Sequence, residues 1–140
     1  MARIMAIDFG LKRTGLAVTD PLQIIATGLT TIESSRLIPF LKDYFKKEPV
    51  ELMLIGEPKN WDDSDTDATP LVRQVMVQIQ REFPSIPLLP VDERYTSKMA
   101  SRAMIEMGMK KKQRRNKALV DEIAATILLQ EYLEKKQRTV

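Results

Sequence analysis

Residues 1–20 read MARIMAIDFGLKRTGLAVTD and contain two apolar runs, each of which ends in an aspartate. The first run, residues 4–7, stops at Asp8, and the second, residues 16–19, stops at Asp20. Glycines lie between the two runs, at Gly10 and Gly15. Apolar runs bounded by glycine predict a buried strand followed by a hairpin. We therefore expect the chain to begin with two antiparallel strands.

Asp8 stands at the mouth of the first strand, where a lone carboxylate is costly to bury. It must therefore be paired or bind a positive group. The candidates are a metal ion or the adjacent basic pair, Lys12 and Arg13. The alternative is a hairpin built from ordinary turn residues. Asp20 ends the antiparallel second strand, so we expect it at the far edge of the sheet, away from any such site.

The length of 140 residues predicts a single domain, residues 1–140, that is large enough to bury a core. No apolar run reaches 18 residues, which argues against a membrane span. The chain also lacks the apolar segment of a signal peptide and has no cysteine, as is typical of proteins in a reducing compartment. These features predict a cytoplasmic protein that has no membrane partner.

Histidine is absent as well as cysteine, and this excludes several kinds of catalytic site. Neither a Ser-His-Asp nor a Cys-His arrangement can be built, and zinc is disfavoured. Carboxylates remain as the main catalytic groups, and they suit hard cations that prefer oxygen ligands. The composition therefore favours carboxylate chemistry with Mg²⁺ or Mn²⁺.

The order of the remaining elements predicts an α/β fold. An antiparallel meander of three strands is followed by alternating helices and strands, which implies a mixed five-stranded sheet flanked by helices. Pro90 cannot donate to a strand ladder, so the fifth strand should lie at an edge. The predicted strands are residues 3–8, 15–19, 24–32, 50–56 and 87–92, and the predicted helices are residues 35–48, 71–83, 97–107 and 118–135.

Acidic residues stand at the ends of three strands that should be parallel. Asp8 ends the first strand, Glu57 follows the fourth, and the pair Asp92–Glu93 ends the fifth. Open sheets bind ligands beyond the carboxyl ends of such strands, so we expect these acids to share one edge of the molecule.

The last helix supplies a further acid, Asp121, at the edge of its apolar stripe. The small residues Ala124 and Ala125 should let this helix approach the sheet and carry Asp121 inward, while Glu122 should point to solvent. The alternative is an acid that merely complements the dipole near a helix N-terminus. Together with Asp8 and Glu93, Asp121 could hold two divalent cations roughly 3.5–4 Å apart, as in two-metal phosphoryl-transfer sites.

A basic segment, MKKKQRRNK at residues 109–117, precedes the last helix and contains no acid. Such a density of positive charge suits contact with a polyanion such as nucleic acid, although a solvated loop or helix end is the alternative. We expect its side chains to bind backbone phosphates without reading sequence. The candidate residues are Lys110, Lys111, Lys112, Arg114 and Arg115.

Three ordered motifs, IDFGLKRTGLAVTD, VDERYTS and VDEIAA, resemble those of the YqgF-type family of Holliday junction resolvases and pre-16S rRNA nucleases. The resemblance spans nearly the whole chain. It implies an RNase H-like fold with the last strand at an edge, and catalytic acids at Asp8, Glu93 and Asp121. Basic residues at matching motif positions, namely Lys12, Arg13 and Arg94, are implied to hold phosphate oxygens.

Glu57 departs from the family pattern, because this position is usually apolar there. It is either an additional metal ligand or a loop acid before Pro58.

The resulting hypothesis is a Mg²⁺- or Mn²⁺-dependent endonuclease that acts on structured nucleic acid. The resemblance implies trimming of the 5′ end of pre-16S rRNA during ribosome biogenesis. The alternatives are resolution of four-way DNA junctions, or a non-catalytic RNA-binding assembly factor. The sequence does not choose between RNA and branched DNA, or between a monomer and a homodimer.

Overall fold

A computed structural model of the chain describes residues 2–57, 69–92 and 117–138. Its strands and helices follow the predicted order closely. The predicted helix over residues 97–107 lies outside the described residues. The strands are β1 (Arg3–Phe9), β2 (Arg13–Thr19), β3 (Ala26–Glu33), β4 (Val50–Glu57) and β5 (Leu88–Asp92), and the helices are α1 (Leu37–Lys47), α2 (Thr69–Glu82) and α3 (Lys117–Arg138).

The five strands form one mixed sheet in the order β3-β2-β1-β4-β5, so that β1 is central. β2 pairs antiparallel with both β1 and β3, and β4 pairs parallel with both β1 and β5. The predicted meander and the parallel β1, β4 and β5 are therefore confirmed. The edge position predicted from Pro90 is also confirmed, because β5 is the outer strand next to β4.

Alternation along the strands divides the core between the two faces of the sheet. On one face, which we call the α1/α2 face, Met5 and Ile7 of β1 belong to a cluster with residues of α1 and α2. On the opposite face, the α3 face, Ile4 and Ala6 pack with residues of α3. Every second residue of β1 thus faces α3, and this parity determines which functional side chains meet.

The rotation of α3 differs from the one expected from its apolar stripe. The buried side of α3 passes through Ala125 and Leu129, while Ile123 and Ile127 are only half-buried. Ala124 and Ala125 are both buried, which confirms that small residues face the sheet. Because Asp121 precedes Ala125 by one helical turn, the observed rotation moves it from the edge of the stripe to its centre.

Glu122 corrects the expectation that its side chain points to solvent. Its carboxylate and Cγ lie against Gly28 of β3, where an added Cβ would meet Oε1 at 2.5 Å. A helical wheel ranks side chains by polarity alone. In this fold the close backbone contact at Gly15 sets the rotation of α3, and this rotation brings the side chain of Glu122 against Gly28.

Among the described helices, none combines the length and apolar character needed to cross a membrane.

Candidate active site

Asp8 is placed by the central strand, one residue before the end of β1. It pairs in register with Gly15 of β2. Because Ile4 and Ala6 pack on the α3 face, alternation assigns Asp8 to that same face. Its side chain is half-buried at the carboxyl end of the sheet. This is the edge of the sheet at which the sequence predicts a ligand site.

Gly15 lets the backbone of α3 rest directly on β2. A Cβ at Gly15 would lie within 3.0 Å of the carbonyl group of Asp121 and 2.9 Å from the backbone nitrogen of Glu122. No side chain larger than hydrogen fits there without moving the helix. Because Gly15 is the register partner of Asp8, this contact brings Asp121 beside Asp8. The structure thus brings together two of the three predicted catalytic acids.

Arg13 forms the charged partner of Asp121, with 3.5 Å between Arg13 Nε and Asp121 Oδ2. The side chains are 37% and 29% exposed, so the pair is partly shielded from water. Within the described residues, the buried Nε makes no hydrogen bond, so the contact with Asp121 is one of charge rather than a hydrogen bond. The sequence offered Arg13 as a partner for Asp8, and the structure pairs it with Asp121.

The hairpin that joins β1 to β2 is fixed by Ser34, at the junction between β3 and α1. Ser34 Oγ donates to the carbonyl oxygen of Gly10 at 2.5 Å and lies 2.8 Å from Oγ1 of the buried Thr14. The backbone N–H of Ser34 donates to the carbonyl of Lys12 at 3.0 Å, and Lys12 itself is exposed. Ser34 therefore holds the segment that carries Lys12 and Arg13.

Glu57 lies on the opposite face of the sheet from Asp8. In β4, Met53 and Ile55 belong to the α1/α2 cluster, so alternation places Glu57 on that face as well. Its Oε1 is 3.7 Å from Nη2 of Arg73 in α2, and its side chain is 17% exposed. The two carboxylates share the carboxyl end of the sheet but not the face.

Asp20 lies at the opposite end of the β1–β2 pair and organises a turn. It accepts backbone hydrogen bonds from Leu22, Ile24 and Ile25 at 3.1, 2.8 and 2.7 Å. These bonds, led by that from Ile25, hold the pKa of Asp20 below its ordinary value of 3.8. The prediction that Asp20 stands apart from Asp8 agrees with this position.

Several predicted site residues lie outside the described residues. Within residues 2–57, 69–92 and 117–138, no group of three His, Cys, Asp or Glu is arranged to hold a metal ion. Glu93 follows the last residue of β5 directly in the chain. The other predicted residues outside the described ranges are Arg94, Lys110, Lys111, Lys112, Arg114 and Arg115.

Two elements of the site escaped the sequence reasoning. In the sequence, Gly15 marks only the boundary of the second predicted strand, yet in the structure it sets the distance between α3 and β2. A glycine inside a strand indicates close approach of another backbone, and this signal was present. Ser34 directly precedes a predicted helix, and nothing in the sequence connects it to Gly10.

The chain matches a known protein family over almost its whole length. Residues 2–135 match the family model described as "RuvX: Holliday junction resolvase". The chain belongs to the RuvX family. The resemblance to YqgF-type proteins is thereby confirmed, over nearly the full length that the three motifs indicated.

Curated RuvX relatives cover almost the whole chain. A protein of Flavobacterium psychrophilum is 56% identical over 136 residues, covering 97% of this chain and 99% of its own length. One from Porphyromonas gingivalis is 50% identical over 138 residues, covering 99% and 100%. Each bears the name "Putative pre-16S rRNA nuclease".

Solved structures of low sequence identity share the fold. Thermus thermophilus RuvC in complex with a Holliday junction substrate is 15% identical, with a TM-score of 0.59 and coverage of 98% of this chain and 96% of that chain. A second T. thermophilus RuvC structure gives a TM-score of 0.56 at 14% identity, covering 98% and 97%. This RuvX chain therefore has the RNase H-like fold that the motifs implied.

Proposed function

We propose that this RuvX protein is a metal-dependent nuclease that hydrolyses phosphodiester bonds in structured nucleic acid. The observation that carries the proposal is the docking of α3 on Gly15. The backbone of Asp121 lies against Gly15, the register partner of Asp8, and this contact supports a shared site at the carboxyl end of the central strands. Two carboxylates on one face, with cationic side chains next to them, form a suitable site for a divalent cation and a phosphate group.

Glu93 completes the proposed set of acids. It directly follows β5 in the chain, and it stands in the motif VDERYTS, whose resemblance to the family pattern supports its inclusion. Glu57 is not included, because it pairs with Arg73 on the other face.

The donor set fits Mg²⁺ or Mn²⁺. All three proposed ligands are carboxylates, and the whole sequence contains neither histidine nor cysteine. When bound, such ions activate a water for attack on phosphorus and stabilise the departing oxygen. Asp8 and Asp121 would fix the position of the ions, and they gain rigidity from a central strand and a docked helix.

The basic residues would hold the substrate backbone. Arg13 balances the charge of Asp121 in the described structure, and it could turn its guanidinium to a phosphate oxygen once cations occupy the acids. Lys12, exposed on the hairpin, and Arg94 would contact neighbouring phosphates. The segment at residues 110–115 would extend this contact, with strength that depends on salt.

For the substrate we propose the 5′ end of pre-16S rRNA, processed in the cytoplasm during ribosome biogenesis. The name shared by relatives that are 50–56% identical over almost the entire chain supports pre-16S rRNA, and the motif resemblance supports its 5′ end. A monomer suffices for trimming one end, whereas resolving a junction requires two sites and hence a two-fold dimer.

The deciding experiment is cleavage by the purified full chain of an RNA precursor and of a DNA four-way junction, with and without Mn²⁺. We expect Mn²⁺-dependent cleavage of the RNA and its loss in Asp8→Asn and Asp121→Asn. Asp20→Asn is the matched control, because it changes an aspartate at the other end of the sheet. Undiminished cleavage by Asp8→Asn would refute the metal site. Preferential cleavage of the junction would assign the DNA substrate instead. RNA binding without cleavage by the parent would indicate a non-catalytic factor.

A further inference from the structure

A cavity of about 430 Å³ lies on the α1/α2 face, behind the hairpin that carries the proposed phosphate-binding residues. Phe9 and Leu11 line it from the hairpin side, Ser35 and Ile38 from α1 and the turn before it, and Val75 and Gln78 from α2. Its size falls in the range of small-molecule binding sites. None of Asp8, Asp121 and Arg13 is among the described residues that line it, so the proposed nuclease site gives this cavity no role.

The cavity begins one residue from the proposed catalytic acid. Phe9 follows Asp8 directly, and consecutive Cα atoms are about 3.8 Å apart. Because side chains alternate along a strand, Phe9 lies on the α1/α2 face and packs on the core cluster, while Asp8 faces α3. A nucleic-acid strand with a phosphate at Asp8 that passes around the carboxyl end of the sheet would bring an adjacent nucleotide to the cavity.

The chemistry of the lining selects the part of a nucleotide that could enter. Among the described residues, none that lines the cavity is charged, so this lining offers a phosphate no counter-charge. Phe9, Ile38 and Val75 offer an apolar surface, and Ser35 and Gln78 offer exposed hydrogen-bonding groups. A flat, neutral, partly polar ring matches this combination, because bases stack on aromatic surfaces and pair through their edges.

Leu11 strengthens this interpretation. It is 77% exposed at the tip of the hairpin, next to the basic pair Lys12 and Arg13, and it also borders the cavity. Apolar side chains on nucleic-acid-binding surfaces insert between bases and unstack them. Leu11 is thus placed to separate a base from its neighbours at the entrance of the cavity.

We propose that this cavity binds one unpaired nucleobase of the substrate, adjacent to the phosphate that is cleaved. The proposal rests on the proposed nuclease function and specifies its substrate as a strand that is unpaired next to the cleavage site. The cationic hairpin holds the backbone, Leu11 keeps the base unstacked, and Gln78 contacts its edge.

One pair of variants, one further variant and one pair of RNAs test the proposal. Both RNAs are duplexes with the same unpaired extension. One of them lacks a single base, at the first unpaired nucleotide next to the duplex. Gln78→Trp would fill the cavity mouth from α2. Gln80→Trp is its matched control, because residue 80 is exposed and lies about 200° around the same helix. Leu11→Ser removes the apolar tip, and circular dichroism verifies that each variant is folded.

Affinity is measured by fluorescence anisotropy in the presence of a chelator, so that no strand is cleaved. We expect the parent to bind the intact RNA about tenfold more tightly than the abasic RNA, within the range found for one stacked base. Gln78→Trp should abolish that difference and Gln80→Trp should keep it, while Leu11→Ser should reduce it.

The outcomes separate this proposal from the nuclease function. Equal affinity of the parent for the two RNAs, or an unchanged difference in Gln78→Trp, overturns the base-binding cavity. In either case, Mn²⁺-dependent cleavage that is lost in Asp8→Asn still supports the nuclease. Absence of both binding and cleavage in the parent would refute the nuclease itself.

Discussion

Gly15→Ala is the substitution that most directly tests the placement of Asp121 beside Asp8. The added methyl group would lie 2.9 Å from the backbone nitrogen of Glu122 and closer still to the carbonyl of Asp121, whereas ordinary contacts begin at 3.4 Å. Both neighbours are backbone atoms of α3, so no side chain can rotate to make room. The helix must move away from β2, and Asp121 moves with it.

The expected magnitudes follow from this geometry. Overpacking of this kind costs about 1–3 kcal/mol of unfolding free energy. For a domain of this size, that corresponds to a fall in Tm of roughly 3–10 °C. A displacement on the order of 1 Å at a catalytic group reduces the reaction rate by roughly 10²-fold. Cleavage should therefore fall far more than the fraction of folded protein does.

The assay combines thermal unfolding with and without Mn²⁺ and initial cleavage rates at a temperature where the variant is folded. A cation that binds only the folded chain raises Tm, and this increment should shrink in Gly15→Ala. Gly28→Ala is the matched control, because its methyl group would meet only the flexible side chain of Glu122. Its Tm and cleavage rate should stay close to those of the parent. The assigned helix contact would be refuted if Gly15→Ala had the same Tm, the same increase of Tm with Mn²⁺ and the same cleavage rate as the parent.

Three further substitutions test the surroundings of the site. Arg13→Gln should weaken nucleic-acid binding for all sequences and lower the slope of log affinity against log salt by about one, as titration at several salt concentrations would show; an unchanged slope would remove Arg13 from the phosphate contacts. Ser34→Ala leaves the hydroxyl of Thr14 without its partner and should lower the unfolding free energy by about 1–3 kcal/mol in urea titration, while Ser35→Ala stays within about 0.5 kcal/mol of the parent. Because the pKa of Asp20 is lowered in the folded chain, its stabilisation is present above the unfolded-state pKa and disappears as the pH falls through the lower folded value. Asp20→Ala should therefore lower the urea midpoint at about pH 7. Between about pH 7 and about pH 3, the urea midpoint of this variant should fall by less than that of the parent; equal decreases in the two proteins would contradict the assigned turn.

The fold was predictable because its signals are local and agree with one another. Apolar runs bounded by turn residues located all five strands, and Pro90 identified the edge strand without knowledge of its partners. The opening motif located Asp8 at a strand end, since the position of an acid after an apolar run is visible in the sequence.

The arrangement around Asp8 was less predictable, because it depends on which backbone atoms approach each other. The rotation of α3 follows from the absence of a side chain at Gly15, and the side chain of Glu122 then lies against Gly28 on a different strand. From the hydropathy of the helix alone, Asp121 is predicted at the edge of the apolar stripe and Glu122 is predicted to point to solvent. The face of Glu57 could have been derived from strand parity, but only after the register of β4 was known.

The position of α3 in the chain also matters during synthesis. β1, with Asp8, is translated early, and its hairpin with β2 pairs residues that are close in sequence. Asp121 follows after all five strands, in the helix that docks on Gly15. Because a chain leaves the ribosome amino terminus first, a nascent polypeptide contains Asp8 long before it contains Asp121. The acidic pair therefore cannot form until α3 has left the exit tunnel, and every earlier stage of the nascent chain carries Asp8 without Asp121.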